Sequence, residues 1–219
     1  MFRRRSFLTI STICPKSFAS NTYLLVSNGA AMVIDPSVSI DAIDNALKTH
    51  GAKLIGGLLT HGHFDHIISI DTLRERYDIP IYIHKNDACM LTDGTLNGFY
   101  TFFQRDCVHK PADILFDGDN EILIGNEKIK ILHTPGHSKG SSCFIFNDEA
   151  KNNTAIITGD TLFANSVGRC DLYGGNTKEL VNSIKTLSNF DKNIDIFPGH
   201  GDSSTLGEAL DCVSYIFDF

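Results

Sequence analysis

The segment Leu54-Ile55-Gly56-Gly57-Leu58-Leu59-Thr60-His61-Gly62-His63-Phe64-Asp65-His66 decides how the chain folds. Its first half is a short apolar run, the mark of a buried strand, and it runs directly into a cluster of metal-ligating side chains. His61 and His63 are two apart in extended chain, so their imidazoles project to the same side. Asp65 and His66 fall at the following turn, where the chain can swing them back toward the same point. Imidazole nitrogen and carboxylate oxygen form a donor set that suits zinc, and also iron or manganese.

Three other segments repeat one design, a strand that runs into a glycine-containing turn bearing a ligand. They are Ile131-Leu132-His133-Thr134-Pro135-Gly136-His137, Ala155-Ile156-Ile157-Thr158-Gly159-Asp160 and Ile194-Asp195-Ile196-Phe197-Pro198-Gly199-His200. Ligands at strand ends are held by a rigid sheet, and glycine lets backbone crowd close to a metal. Singly, each of these turns reads as solvated. In a chain that already carries the His61–His66 cluster, His137, Asp160 and His200 become candidate ligands.

The rest of the pattern supplies the scaffold. Asn28-Gly29 between Thr22–Ser27 and Ala30–Asp35 predicts a tight hairpin. A helix is expected over Ile40–Thr49 with Gly51 as its stop, a second over Ile67–Tyr77, and a strand from Pro80 to His84. Lys85–Pro111 reads as a long excursion with a short helix; its rings Phe99, Tyr100, Phe102 and Phe103 form either a satellite cluster or the wall of a pocket. Strands resume from Ile114 to Phe146, with Gly125-Asn126 as a turn, and again at Ala155–Thr158 and Ile194–Phe197. Helices are expected over Lys178–Leu187 and from Leu206. Two strand-rich halves that each carry helices imply α/β or α+β layers, and no linker divides residues 1–219 into separate domains.

These motifs together resemble the metallo-β-lactamase superfamily over nearly the whole chain, from Asn21-Thr22-Tyr23-Leu24 to Gly207-Glu208. The resemblance implies a four-layer αββα sandwich with a dinuclear metal site at one edge. It also implies that His61, His63 and His137 hold one metal, that Asp65, His66 and His200 hold the other, and that Asp160 bridges them. Two divalent ions are expected, zinc first, with iron or manganese as alternatives. Thr158-Gly159-Asp160-Thr161-Leu162-Phe163, Gly168-Arg169, Asp171 and Gly174-Gly175 resemble the glyoxalase II (hydroxyacylglutathione hydrolase) branch, and Pro198-Gly199-His200-Gly201 with Thr205-Leu206-Gly207-Glu208 is similar to its short members. Full-length members add a C-terminal helical domain that contacts glutathione, whereas 19 residues follow His200.

The expected reaction is hydrolysis of a small-molecule thioester. A metal-bridging hydroxide held with Asp65 and Asp160 attacks the carbonyl, because coordination lowers the pKa of water from 15.7 to about 7. A thiolate with a pKa of about 8.5 leaves without a strong general acid. The alternatives are a persulfide dioxygenase with one iron on His61, His137 and Asp160, and a lactonase or another hydrolase of the same fold; the Gly168-Arg169 segment disfavours a β-lactamase. Arg169 is a candidate to hold a substrate carboxylate or to brace the Asp160 loop. Lys139 and Tyr173 are weaker candidates for polar pocket groups. Of the remaining histidines, His133 could orient a ligand, while packing or solvent is the expectation for it and for His50, His84 and His109.

A net charge of −7 repels phosphate backbones, so nucleic acid is not the expected partner. No apolar run reaches the length of a membrane span. Six cysteines with no C-x-x-C pair read as free thiols, mostly buried, in a reducing compartment, the cytoplasm. Arg3-Arg4-Arg5-Ser6-Phe7-Leu8 loosely resembles a twin-arginine export signal. The following Thr9-Ile10-Ser11-Thr12-Ile13 is too polar for the apolar segment of such a signal and alternates like a first strand.

Overall fold

Along Thr22–Ser27 the side chains point alternately to two faces, and both faces are buried. Tyr23 and Leu25 join one hydrophobic cluster, while Leu24 and Val26 join another. A strand covered on both sides requires a layer above and a layer below. The computed structural model describes residues 8–14, 19–118, 120–148 and 153–214.

In chain order the elements are β1 (Thr9–Ile13), β2 (Thr22–Ser27), β3 (Ala30–Ile34), α1 (Ile40–His50), β4 (Lys53–Leu58), a 3-10 turn (Phe64–His66), α2 (Ile70–Tyr77) and β5 (Ile81–His84). A 3-10 stretch (Lys85–Thr92), α3 (Phe99–Phe103), β6 (Ile114–Phe116), β7 (Glu121–Ile124), β8 (Glu127–His133), β9 (Ser142–Asp148) and β10 (Asn153–Gly159) follow. The chain continues through α4 (Thr177–Leu187), β11 (Asp195–Pro198), β12 (Ser204–Thr205) and α5 (Leu206–Val213). Among the described residues there are two six-stranded sheets, ordered β1-β2-β3-β4-β5-β6 and β12-β11-β10-β9-β8-β7. The first is antiparallel from β1 to β3 and parallel from β3 to β6. The second is antiparallel except where β10 runs parallel to β11.

The sheets pack face to face. Tyr23, Leu25, Met32 and Ile34 of the first meet Ile129, Ile131, Phe144 and Phe146 of the second. On the outer face of the first sheet, Ile43 and Leu47 of α1 and Leu73 of α2 cover Leu24, Val26, Ala31 and Val33. On the outer face of the second, Leu180, Ile184 and Leu187 of α4 and Leu206, Ala209 and Leu210 of α5 cover Leu132, Cys143, Ile145 and Ile156. The layer order is therefore αββα, as the resemblance implies. Removing each of these aliphatic side chains from water contributes roughly 1.5–3 kcal/mol, which holds the layers together.

The expected elements are present with local differences. The helix expected from Ile67 begins at Ile70 instead. The preceding residues tighten into the Phe64–His66 turn, whose His66 and Ile67 amides reach back only three residues, to the carbonyls of His63 and Phe64. The strand expected through Asp35 stops at Ile34, because Asp35 takes a left-handed conformation with φ 48°. Thr9–Ile13 is a strand, as its alternation predicts, whereas Arg3-Arg4-Arg5 lies outside the described residues. All six cysteines are free, but Cys14, Cys89 and Cys212 are exposed rather than buried. Among the described residues no helix is long and apolar enough to cross a membrane.

Helix α1 shows how local chemistry sets a boundary. Ser39 caps its first turn by accepting the Ala42 amide, and Gly51 ends it at φ 57° with its N–H on the Leu47 and Lys48 carbonyls. A Cβ at Gly51 would meet nothing within 4 Å, so a side chain there costs backbone strain alone. Gly51→Ala should lower unfolding free energy by roughly 1–2 kcal/mol, read as a shifted urea midpoint with an unchanged slope.

Candidate metal centre

Strands β4, β8, β10 and β11 end at the same edge of the sandwich, and each delivers ligands into the loop that follows. His61 and His63 follow β4, Asp65 and His66 sit in the 3-10 turn, His137 follows β8, Asp160 follows β10 and His200 follows β11. Three groups of ligand atoms, each within 4.8 Å, overlap there: His61 with His63 and His137, His61 with His66 and Asp160, and Asp65 with His66 and His200. All seven side chains expected from the sequence are thus brought together. Asp160 stands at the junction, its Oδ2 3.6 Å from His137 Nε2 and 3.6 Å from His200 Nε2. Its Oδ1 is 3.3 Å from His66 Nε2, and Asp65 Oδ2 is 3.1 Å from His200 Nε2.

The hydrogen bonds behind the rings fix which nitrogen faces inward. Thr60 Oγ1 donates to Asp35 Oδ2 at 2.6 Å, so its oxygen is left to accept from His61 Nδ1 at 3.1 Å. His61 Nε2 therefore presents a lone pair to the centre. His137 Nδ1 donates to the Arg169 carbonyl at 2.7 Å, so its Nε2 does the same. These two nitrogens lie 3.2 Å apart, close to the roughly 3.4 Å edge of a tetrahedron with metal–nitrogen bonds of about 2.1 Å. Facing lone pairs repel unless a cation lies between them. His63 Nδ1 lies 2.8 Å from His137 Nε2 and faces the same point, while His66 Nε2 and Asp160 Oδ1, both buried, have only each other at 3.3 Å, an arrangement of polar atoms open to a cation. The donor set fits a pair of divalent metals.

Electrostatics divide the cluster into neutral and charged members. Burial, reinforced by the neighbouring imidazoles, holds His61 well below the usual histidine range. Burial and then His137 bring His63 down to about 3, so both rings are neutral ligands at pH 7. His66 goes the other way. Burial opposes its charge, but Asp160, Asp35 and Asp65 outweigh burial and raise it well above the ordinary value. Burial likewise works against the ionised form of Asp65 and Asp160, yet His66 and the other imidazoles hold both carboxyls below the usual range.

Two buried carboxylates hold this centre together without facing it, and neither is marked by the sequence motifs. Asp35 accepts from the Thr60 amide at 2.8 Å, from Thr60 Oγ1 and from His66 Nδ1 at 2.9 Å, tying the end of β3 to the histidine loop. Asp87 accepts from the Gly62 amide at 3.2 Å, the Ser138 hydroxyl at 2.6 Å and the Gly140 amide at 2.7 Å, so it clamps the His61–His63 loop to the His137 loop. Burial raises its pKa, and those three donors counter the rise. Asn21 carries the His200 loop, donating from its side chain to the Pro198 and Gly201 carbonyls. The sequence signal for Asp35 is an acidic residue that closes an apolar strand. Asp87 lies in the Lys85–Pro111 excursion, where no periodicity points to it. Gly199 is required by space, since a Cβ there would lie 2.1 Å from Asp160 Oδ1.

The centre opens into a cleft of about 840 Å³. Phe64, Phe102, Phe103, Phe163 and Leu172 line it, so the excursion walls a pocket rather than forming a satellite core. Arg169 lines it too, with its guanidinium bidentate to Asp171 at 2.6 and 2.7 Å and its carbonyl bracing His137. Lys139 and Tyr173 sit off this cleft, the ammonium 5.5 Å from the Tyr173 ring centroid. His133 stacks on His84 at 4.2 Å and hydrogen-bonds the Lys139 carbonyl at 2.9 Å, while Thr60, Asp35 and the Arg169 carbonyl orient His61, His66 and His137.

The profile of the metallo-beta-lactamase superfamily matches residues 16–200, and the chain belongs to that superfamily. It is 38% identical over 183 residues to the probable metallo-hydrolase YqgX of Bacillus subtilis, covering 83% of this chain and 85% of that protein. Among solved structures it is similar to the B3 metallo-beta-lactamase BLEG-1, with 34% identity and a TM-score of 0.84 over 93% of this chain and 97% of that one. It also resembles TTHA1623, solved in a di-iron-bound form, with 31% identity and a TM-score of 0.72 over 90% of this chain and 94% of that one.

His63→Ala and Asp160→Ala should each reduce bound metal, by elemental analysis, below that of the parent protein while circular dichroism stays unchanged. Asp87→Asn replaces one acceptor oxygen with a donor facing an amide or hydroxyl donor. It should weaken metal affinity roughly 10–100-fold in a chelator competition, although Asp87 faces no metal.

Proposed function

We propose that the protein is a dinuclear metal-dependent hydrolase of thioesters, similar in chemistry to glyoxalase II. The observation that supports this most is the position of Asp160, equidistant from His137 and His200 at the floor of the cleft. Two divalent ions, zinc first and iron as an alternative, would be held by His61, His63 and His137 on one side and Asp65, His66 and His200 on the other, with Asp160 between them. When bound, they supply Lewis acidity and a water of lowered pKa.

The side chains around that centre limit the leaving group. The carboxyls lining the cleft are Asp65 and Asp160, and both are held ionised. Neither can hand a proton to a departing group at neutral pH. Arg169 is permanently charged and paired with Asp171. A departing amine requires that proton, whereas a thiolate does not, so the cleft suits a thioester better than an amide. Apolar walls also exclude water from the reacting carbonyl, which strengthens the electrostatic interactions made there. The six free thiols, three of them exposed, suit a reducing compartment, and we place the protein in the cytoplasm.

The similarity to BLEG-1 supports a second reading, opening of a β-lactam, whose strained ring eases departure of the nitrogen. A panel of acetyl and lactoyl thioesters, a lactone and a chromogenic cephalosporin, run with metal quantification, separates the two. Thioester turnover at least a hundredfold above cephalosporin turnover, with about two metals per chain, is expected. Cephalosporin turnover without thioester turnover would establish the lactam reading. One iron per chain with oxygen consumed on a persulfide would overturn both.

A further inference from the structure

The walls of the cleft carry more information than its floor. Phe64 lies at its centre, with ring centroids 5.7 Å from Phe102 and 5.6 Å from Phe103, and Phe99 backs this group at 5.5 Å. Phe163, Val167 and Leu172 complete the apolar lining. Phe102 and Phe103 remain 49% and 36% exposed and lie together on one wall of the cleft. Aromatic surface left open directly above a ligand cluster is surface for a ligand to cover.

Charge in the cleft points the same way. Among the described residues that line it, Arg169 is the one Lys or Arg. Its guanidinium is held on both sides, by the bidentate pair with Asp171 and by the Phe102 ring 5.7 Å away. Lys139, the other cation expected near substrate, lies outside the lining over Tyr173. Among the described lining residues, a thiol carrier with two carboxylates, such as glutathione, would meet one Lys or Arg, the Asp171-paired Arg169, and would set its other charge against aromatic rings.

Resting on the thioesterase reading above, we propose that the substrates are thioesters of an apolar acyl group, of medium chain length or aromatic, on an uncharged thiol. The Phe64–Phe102–Phe103 wall binds the acyl group and sets specificity. The reaction remains simple hydrolysis: a C–O bond forms to the hydroxyl of water as the acyl C–S bond breaks, the thiolate leaves with the bonding pair, and the remaining proton of water passes to the solvent.

The probes are acetyl and hexanoyl thioesters of N-acetylcysteamine, together with S-lactoylglutathione. Each methylene fully removed from water favours binding about fourfold, so partial burial of four should make kcat/KM for hexanoyl at least tenfold higher than for acetyl. Hexanoyl should also exceed S-lactoylglutathione. Phe102→Ala should cut the hexanoyl-to-acetyl ratio to threefold or less, and Phe102→Leu should recover most of it. A second readout needs no turnover: calorimetry should show the thioether S-hexyl-N-acetylcysteamine binding at least tenfold tighter than its S-methyl counterpart. Equal turnover of acetyl and hexanoyl thioesters, or a preference for S-lactoylglutathione, overturns the apolar substrate class and leaves the thioesterase reading standing. Tight S-hexyl binding with no thioester turned over leaves the apolar wall but overturns the thioesterase reading and this substrate class with it.

Discussion

One carboxylate joins the scaffold to the centre. Asp35, at the end of β3, receives the Thr60 amide, the Thr60 hydroxyl and His66 Nδ1 at once. The Thr60 hydroxyl is thereby committed as a donor, which leaves its oxygen for His61. One buried group therefore sets the tautomers of two inward-facing histidines on the first sheet. Its left-handed backbone, unusual for a residue with a side chain, turns the carboxylate from the strand toward β4. Charge-assisted hydrogen bonds of this kind are roughly twice as strong as neutral ones, and a buried carboxylate with only some of its donors would be costly. The surroundings leave little room for another arrangement.

Electrostatic opposition inside the cluster is what makes it a binding site rather than a packed core. Burial first, and then the neighbouring imidazoles, with His137 beside both, hold His61 and His63 neutral. The carboxylates nearby cannot stay neutral, because His66 and the other rings hold them ionised. Neutral donors on one side and anions on the other make a place for positive charge, which a proton on His66 supplies in part. A polar cluster this deep in a protein destabilises the fold unless its atoms are satisfied, and several here make no hydrogen bond of ordinary geometry. Stability given up locally for a site of this kind is a common arrangement.

The sequence carried the ligands more clearly than the framework that aims them. His61, His63, Asp65, His66, His137, Asp160 and His200 stand out because each follows an apolar strand and a turn, a local pattern. The αββα layering follows from resemblance and from strands buried on both faces, such as Thr22–Ser27. Asp35 and Asp87 are different. Their roles depend on donors 25 to 53 residues away, and no local periodicity encodes a contact of that separation. The aromatic excursion was ambiguous for a related reason, since a ring on a wall and a ring in a satellite core have the same composition. The boundary at Ile67 shifted because a 3-10 turn and the first turn of a helix share the same residue preferences.

The division of the seven side chains between the two sheets has a consequence for how the protein is made. His61, His63, Asp65 and His66 belong to the half of the chain that builds β1 to β6, while His137, Asp160 and His200 belong to the half that builds β7 to β12. A nascent chain that has released only its first half offers four of the seven and lacks the carboxylate between them. All seven meet only once the second sheet has closed over the first. The complete cluster is therefore a product of the assembled sandwich, and one sheet alone cannot form it.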